Sequence, residues 1–131
     1  MLARFEESFL GYRFRPSVTG DATMVEGLWT IEFASPIGFG TGVMVLTERR
    51  LLGGDAGYYY SGEYTVSDHH IDGKAEIVRF DNNSLSVFGN MDRFILDFSG
   101  EVSEDSIVGV ASLAGKPTLQ AQIRCRKKTE L

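Results

Sequence analysis

Cysteine is almost missing from this chain. One residue of 131, Cys125, carries a thiol, so no intrachain disulfide forms and no thiolate set for a structural zinc is available. A reducing, cytoplasmic setting is the expectation. Histidine is nearly as scarce, with His69 and His70 the two in the chain. Adjacent side chains on a strand point to opposite faces, so the pair cannot share a metal without a local turn. No apolar run approaches the roughly 20 residues that span a bilayer, and Arg4, Glu6 and Glu7 interrupt the stretch a signal peptide would need. Positive charge is outnumbered, 13 Lys and Arg against 18 Asp and Glu, for a formal net charge of −5. That balance argues against a general nucleic-acid binder and against adsorption to anionic membranes. No internal repeat or low-complexity stretch is present.

Catalytic signatures are missing as well. Ser61, Ser67, Ser84 and Ser86 lack a Gly-X-Ser-X-Gly frame, and Cys125 falls on an apolar strand face where thiols are inert. Glu104 and Asp105 form a carboxylate pair, but in a turn, where such groups are solvated. Gly38-Phe39-Gly40-Thr41-Gly42 is the richest glycine stretch; Val43-Met44-Val45-Leu46 follows it, a strand pattern where a phosphate loop would open a helix. Asn82-Asn83-Ser84 fits the glycosylation pattern, which has no meaning in a cytoplasmic chain. Neither an enzyme nor a cofactor is expected.

What the chain does have is core material. Apolar residues make up 43% and charged ones 24%, enough for one domain that buries roughly two thirds of its unfolded surface. Residues 1–23 read as an extension. Leu2, Phe5 and Phe9 are at helical spacing up to Leu10, Gly11 can end that helix, and Pro16, Gly20 and Asp21 mark an irregular connection. Met24 is an alternative start to Met1. Phe5 and Phe9 would cap a barrel end or pack across a dimer.

From Met24 the period changes to two. Strands are predicted at 26–34, 39–46, 49–54, 57–66, 69–80, 91–102, 105–113 and 117–128, separated by short turn signals such as Ser35-Pro36, Glu48-Arg49 and Gly115-Lys116-Pro117. Alternation is cleanest for Ile71, Gly73, Ala75 and Ile77, for Phe94, Leu96, Phe98 and Val102, and for Leu119, Ala121, Ile123 and Cys125. Short connections favour antiparallel neighbours, and eight strands with one wet face close most economically as an all-β up-and-down barrel. A two-sheet sandwich is the alternative. Gly62, Gly73, Gly100 and Gly109 share the dry faces. Either they let strands coil sharply or they widen a central cavity, since an eight-strand barrel is filled or holds one small ligand. The predicted lining is Ile31, Phe33, Val43, Tyr60, Gly62, Gly73, Ile77, Phe94, Leu96 and Gly109. Arg124, Arg126, Lys127 and Lys128 make a small basic stripe, read as edge protection because Gln120 and Gln122 stand where nucleic-acid-stacking aromatics would be.

Two resemblances follow from these segments. Gly27-Leu28-Trp29 resembles the Gly-X-Trp signature of calycin barrels, the lipocalins and avidins among them, which implies that Trp29 closes one barrel end with Arg124 or Arg126 packed across it. The run Gly27-Leu28-Trp29-Thr30-Ile31-Glu32-Phe33, then Gly40-Thr41-Gly42-Val43, Gly53-Gly54-Asp55 and Tyr60-Ser61-Gly62, resembles the GrlR family. Those are small bacterial proteins, negative regulators of type III secretion genes. The resemblance implies a homodimer that binds a transcriptional activator as its protein partner, with a barrel interior open to an apolar small molecule. Where that family has an acidic Glu-Asp-Glu-Asp run, this chain has Ser67-Asp68-His69-His70. Asp68, His69 and His70 are therefore the expected partner-binding residues, with affinity changing as histidine changes charge. A non-catalytic regulator acting by protein binding is the expected function; a small-molecule-binding barrel without a regulatory partner is the alternative.

Overall fold

Each segment of period-two alternation forms a strand. They are β1 (Gly27–Ser35), β2 (Gly38–Thr47), β3 (Arg50–Gly54), β4 (Tyr58–Ser67), β5 (His70–Arg79), β6 (Arg93–Ser103), β7 (Ser106–Leu113) and β8 (Lys116–Thr129). These bounds come from a computed structural model that describes residues 24–131; the helix expected over Leu2–Leu10, with Phe5 and Phe9, lies outside the described residues. Every strand pairs antiparallel with its sequence neighbours, and β8 returns to pair with β1, so the sheet closes into a barrel. The sandwich alternative is set aside by that closure. It also leaves the last strand with no free edge, so Arg124 and Arg126 guard none.

Closure puts three connections and the two chain termini of the barrel at one end and four connections at the other. At one end lie the tight hairpins after β2, β4 and β6 together with both chain termini of the barrel. At Glu48 and Arg49, φ values of 49° and 68° give the two-residue loop the twist that antiparallel strands demand. At the other end lie the hairpin after β1, the β3–β4 turn, the long 80–92 connection and the turn after β7.

The two ends are filled differently. Trp29, Leu46, Ile71, Val25 and Cys125 are fully buried toward the hairpin end. Nearer the other end the inward positions include Ala75, Ala111 and Ala121, which are buried but small. The outer face mixes charged with exposed apolar side chains such as Leu52, Ile95 and Val108, and the Lys74–Asp97 and Glu76–Arg93 ion pairs are set across neighbouring strands. Among the described residues no helix is long and apolar enough to cross a membrane.

The dry-face glycines answer to strand coiling. A Cβ at Gly62 would stand 2.1 Å from the Lys74 carbonyl oxygen, and one at Gly109 2.0 Å from that of Ser99. Both would collide with the neighbouring strand's backbone, so these positions let the sheet bend tightly. At Gly73 the space is taken by Glu63 O and the Phe98 ring, each 2.3 Å from the missing Cβ. The cavity-widening reading of Gly62, Gly73 and Gly109 is therefore corrected: their absent side chains face backbone or a ring, not the interior space.

Candidate functional site

Large inward side chains at the hairpin end and small ones toward the other, the upper half of the barrel, leave a cavity of about 340 Å³ that reaches down to Leu46, Ile71 and Cys125. That volume lies at the lower end of the range for small-molecule sites. Ile31, Phe33, Tyr60, Ile77, Phe94 and Leu96 line it, as the alternation predicts. Val43 does not. It is 48% exposed on the outer face, because its strand turns Gly42, Met44 and Leu46 inward and the odd position must point out.

The 80–92 connection lies over the mouth and is tied down at several points. Arg79 donates from Nη1 to the Ser84 carbonyl at 2.9 Å and to Asn90 Oδ1 at 2.8 Å, while its Nε reaches Asp92 Oδ1 at 3.0 Å. The Tyr58 hydroxyl donates to the Met91 carbonyl at 2.7 Å, and Ser35 Oγ to that of Val87 at 2.6 Å. Phe88 packs edge-on against Phe94 with centroids 5.8 Å apart. Phe39 and Leu85, lining residues that are 68% and 71% exposed, keep the mouth in contact with solvent.

Asp55 supplies the one charged side chain among the described residues of this mostly apolar wall. It sits in the β3–β4 turn, where its Oδ1 accepts from the amides of Gly57 and Tyr58 at 2.9 Å each. An Asp bonding backbone amides two and three residues on is how such turns are fixed. Its Oδ2 accepts the Tyr60 hydroxyl. Burial, reinforced by this carboxylate, pushes the Tyr60 phenol well above its ordinary value. Cys125 lies deeper in the lining, where burial raises its thiol to about 12. It stays a neutral, unreactive thiol.

Trp29 closes the hairpin end. Its indole Nε1 donates to the Val25 carbonyl at 2.8 Å. The cation across it is neither Arg124 nor Arg126, a correction that follows from parity: Cys125 points inward, so Arg124 and Arg126 point out and are exposed, and Lys127 turns in. Lys127 Nζ stands 5.7 Å from the Trp29 ring centroid and donates to the Met24 carbonyl at 2.7 Å. Its side chain is only 6% exposed.

Asp68 and His69 form the tip of the β4–β5 hairpin at this same closed end, with Asp68 at a φ of 56°. They are exposed and far along the barrel axis from the cavity mouth. His70 begins β5 on the outer face, its Nδ1 3.0 Å from Glu101 Oε2 and its Nε2 3.2 Å from Asp72 Oδ1. The hydrogen bond to Glu101, then that to Asp72, raises its pKa above the ordinary 6.5. The sequence places Asp55 in a glycine-rich segment and Lys127 in a basic stripe but gives neither a site role, and it does not mark the 80–92 cover. Asp55 followed by Gly57 is a turn signature that could have drawn attention to it, and the inward parity of Cys125 could have identified Lys127.

Two measurements check this geometry. Lys127→Met should destabilise the barrel by about 1–2 kcal/mol in urea unfolding, through the lost cation–π contact and the bond to Met24 O. Arg124→Met and Arg126→Met should each change stability by less than about 0.5 kcal/mol. For His70, the raised folded value makes its stabilisation fully present below the unfolded value near 6.5, and it is lost as pH rises through the folded value. An NMR titration should place its midpoint above 6.5 and find it lowered in Glu101→Gln.

In comparisons with known proteins, neither a protein-family model nor a curated protein matches the chain.

Proposed function

We propose that this chain is a non-catalytic binding protein whose barrel takes a small apolar molecule. One observation carries the reading: a cavity of about 340 Å³ whose wall is mostly aliphatic and aromatic, opening past exposed Phe39 and Leu85. A site of this kind binds by burying apolar surface, at roughly 25 cal/mol per Å² before the costs of association. No reaction is assigned to it. Tyr60 and Cys125, two titratable side chains of the lining, are held protonated by burial, which suits an inert container.

The regulatory role implied by the GrlR resemblance is the second reading, with a transcriptional activator as partner and a cytoplasmic homodimer as the acting form. What favours it is the apolar rim at the mouth. Ile37, Phe39 and Leu85 are each more than two thirds exposed, and the Ser35–Val87 hydrogen bond holds their two segments side by side. A rim of this kind marks an interaction site. A partner docking there would sense whether the barrel is occupied.

Binding of N-phenylnaphthylamine, an uncharged apolar fluorophore, tests the first reading. The full chain should enhance its emission saturably. Ala121→Phe, which projects a ring into the cavity, should weaken binding at least about tenfold while leaving the far-ultraviolet circular dichroism unchanged. An unaltered affinity in that variant would place the probe elsewhere and remove the reading. For the second, Phe39→Ser should abolish co-purification of a stoichiometric protein from the source cells.

A further inference from the structure

Polar side chains in the cavity wall are biased toward accepting. Five hydroxyl-bearing side chains line it: Thr41, Tyr58, Tyr60, Ser84 and Ser86. Four of them donate within the chain. Tyr58 donates to the Met91 carbonyl at 2.7 Å, Tyr60 to Asp55 Oδ2, Ser84 to Asp81 Oδ2 at 3.2 Å and Ser86 to the Gly89 carbonyl at 2.9 Å. A hydroxyl has one proton, so these four oxygens keep only lone pairs to offer a guest. Among the described residues that line the cavity, Asp55 is the one charged side chain, and no Lys, Arg or His accompanies it.

The Asp55–Tyr60 pair is built into the barrel. A Cβ at Gly42 would lie 2.8 Å from the Tyr60 hydroxyl oxygen and 3.5 Å from Asp55 Cβ, so the bare glycine makes the room in which the two groups meet. The turn amides fix Oδ1 of Asp55, which leaves Oδ2 and the Tyr60 oxygen as the adjustable acceptors.

Resting on the reading that the cavity holds an apolar molecule, we infer that its ligand carries a hydrogen-bond donor as its single polar head, an alcohol or an amine aimed at Asp55 and Tyr60, and that carboxylate-headed chains are rejected. An alcohol gives its proton to the Tyr60 oxygen or to Asp55 Oδ2 and lays its tail against Ile31, Ile77 and Leu96. At Asp55 and Tyr60 a carboxylate meets oxygens without spare protons. It also places a second anion beside Asp55 in a wall whose lining holds no Lys, Arg or His, so it must take up a proton or stay out. Size narrows the class further. The cavity is about twice the ~150 Å³ that admits benzene, room for roughly a dozen non-hydrogen atoms.

Isothermal titration calorimetry of the full chain with decanol and with decanoate at neutral pH, both below their aggregation limits, is the test. Decanol should bind at least about tenfold more tightly than decanoate. Asp55→Asn keeps an Oδ1 acceptor for the turn and removes the charge, so decanoate should gain about tenfold and the gap close. Equal affinities in the unaltered protein, or a preference for decanoate, overturn the inference and leave the apolar-ligand reading standing. If neither chain binds, that reading falls and the inference with it. The unaltered protein's preference decides the question even if Asp55→Asn fails to fold.

Discussion

Closure of β1 onto β8 fixes which way every strand side chain of the barrel points. Once Ile31 pairs with Cys125 and Gly42 on either side, their shared inward direction is passed from strand to strand around the ring. A one-residue slip of β1 would carry Trp29 to the outside and Glu32 to the inside, and a slip of β5 would do the same to Ile71 and Lys74. The same constraint sets the diameter. Eight strands enclose a space that side chains nearly fill, so whether a hollow exists depends on the sizes of a few inward residues. Here large residues pack the hairpin end, and Ala75, Ala111 and Ala121 leave the upper half open.

The openings of the barrel are handled by different means. At the closed end the Trp29 ring is capped by the buried Lys127 ammonium, whose charge is met by the Met24 carbonyl and by Glu130 at 3.3 Å. At the mouth the cover is a connection held by hydrogen bonds from Arg79, Tyr58 and Ser35, with Phe88 as its apolar contact to the interior. Segments held mainly by exposed polar contacts open more readily than a packed core. The mouth is therefore where exchange with solvent belongs. Asp55 stands on its border, and one carboxylate fixes the β3–β4 turn and gives the cavity its polarity.

Much of the fold was legible because period two is a strong signal when it persists through eight segments. All eight strands were predicted to within one or two residues at each end, and short connections left little choice but antiparallel neighbours. Six of the ten predicted lining residues, from Ile31 to Leu96, do face the cavity. The misses have physical causes. Val43 was placed by its apolar character where its strand's parity put it outside. Arg124 and Arg126 pair with Trp29 only by the calycin resemblance, against an alternation that turns Cys125 inward and so requires Lys127. The glycines were ambiguous because a missing Cβ has the same sequence signature whether it faces a void or a neighbouring backbone. Asp55 and the 80–92 cover depend on contacts between segments brought together only by closure, such as Ser35 with Val87 and Tyr58 with Met91.

Binding of an apolar molecule requires the upper half of the barrel to be hollow. A crystal structure of the full chain under xenon pressure tests that directly, since xenon enters dry apolar cavities and leaves packed cores empty. Xenon density bounded by Ala75, Ala111, Ala121 and Phe94 is the predicted result. An interior in which Phe88, Phe94 and Leu96 fill that space, with no xenon between them, would contradict it.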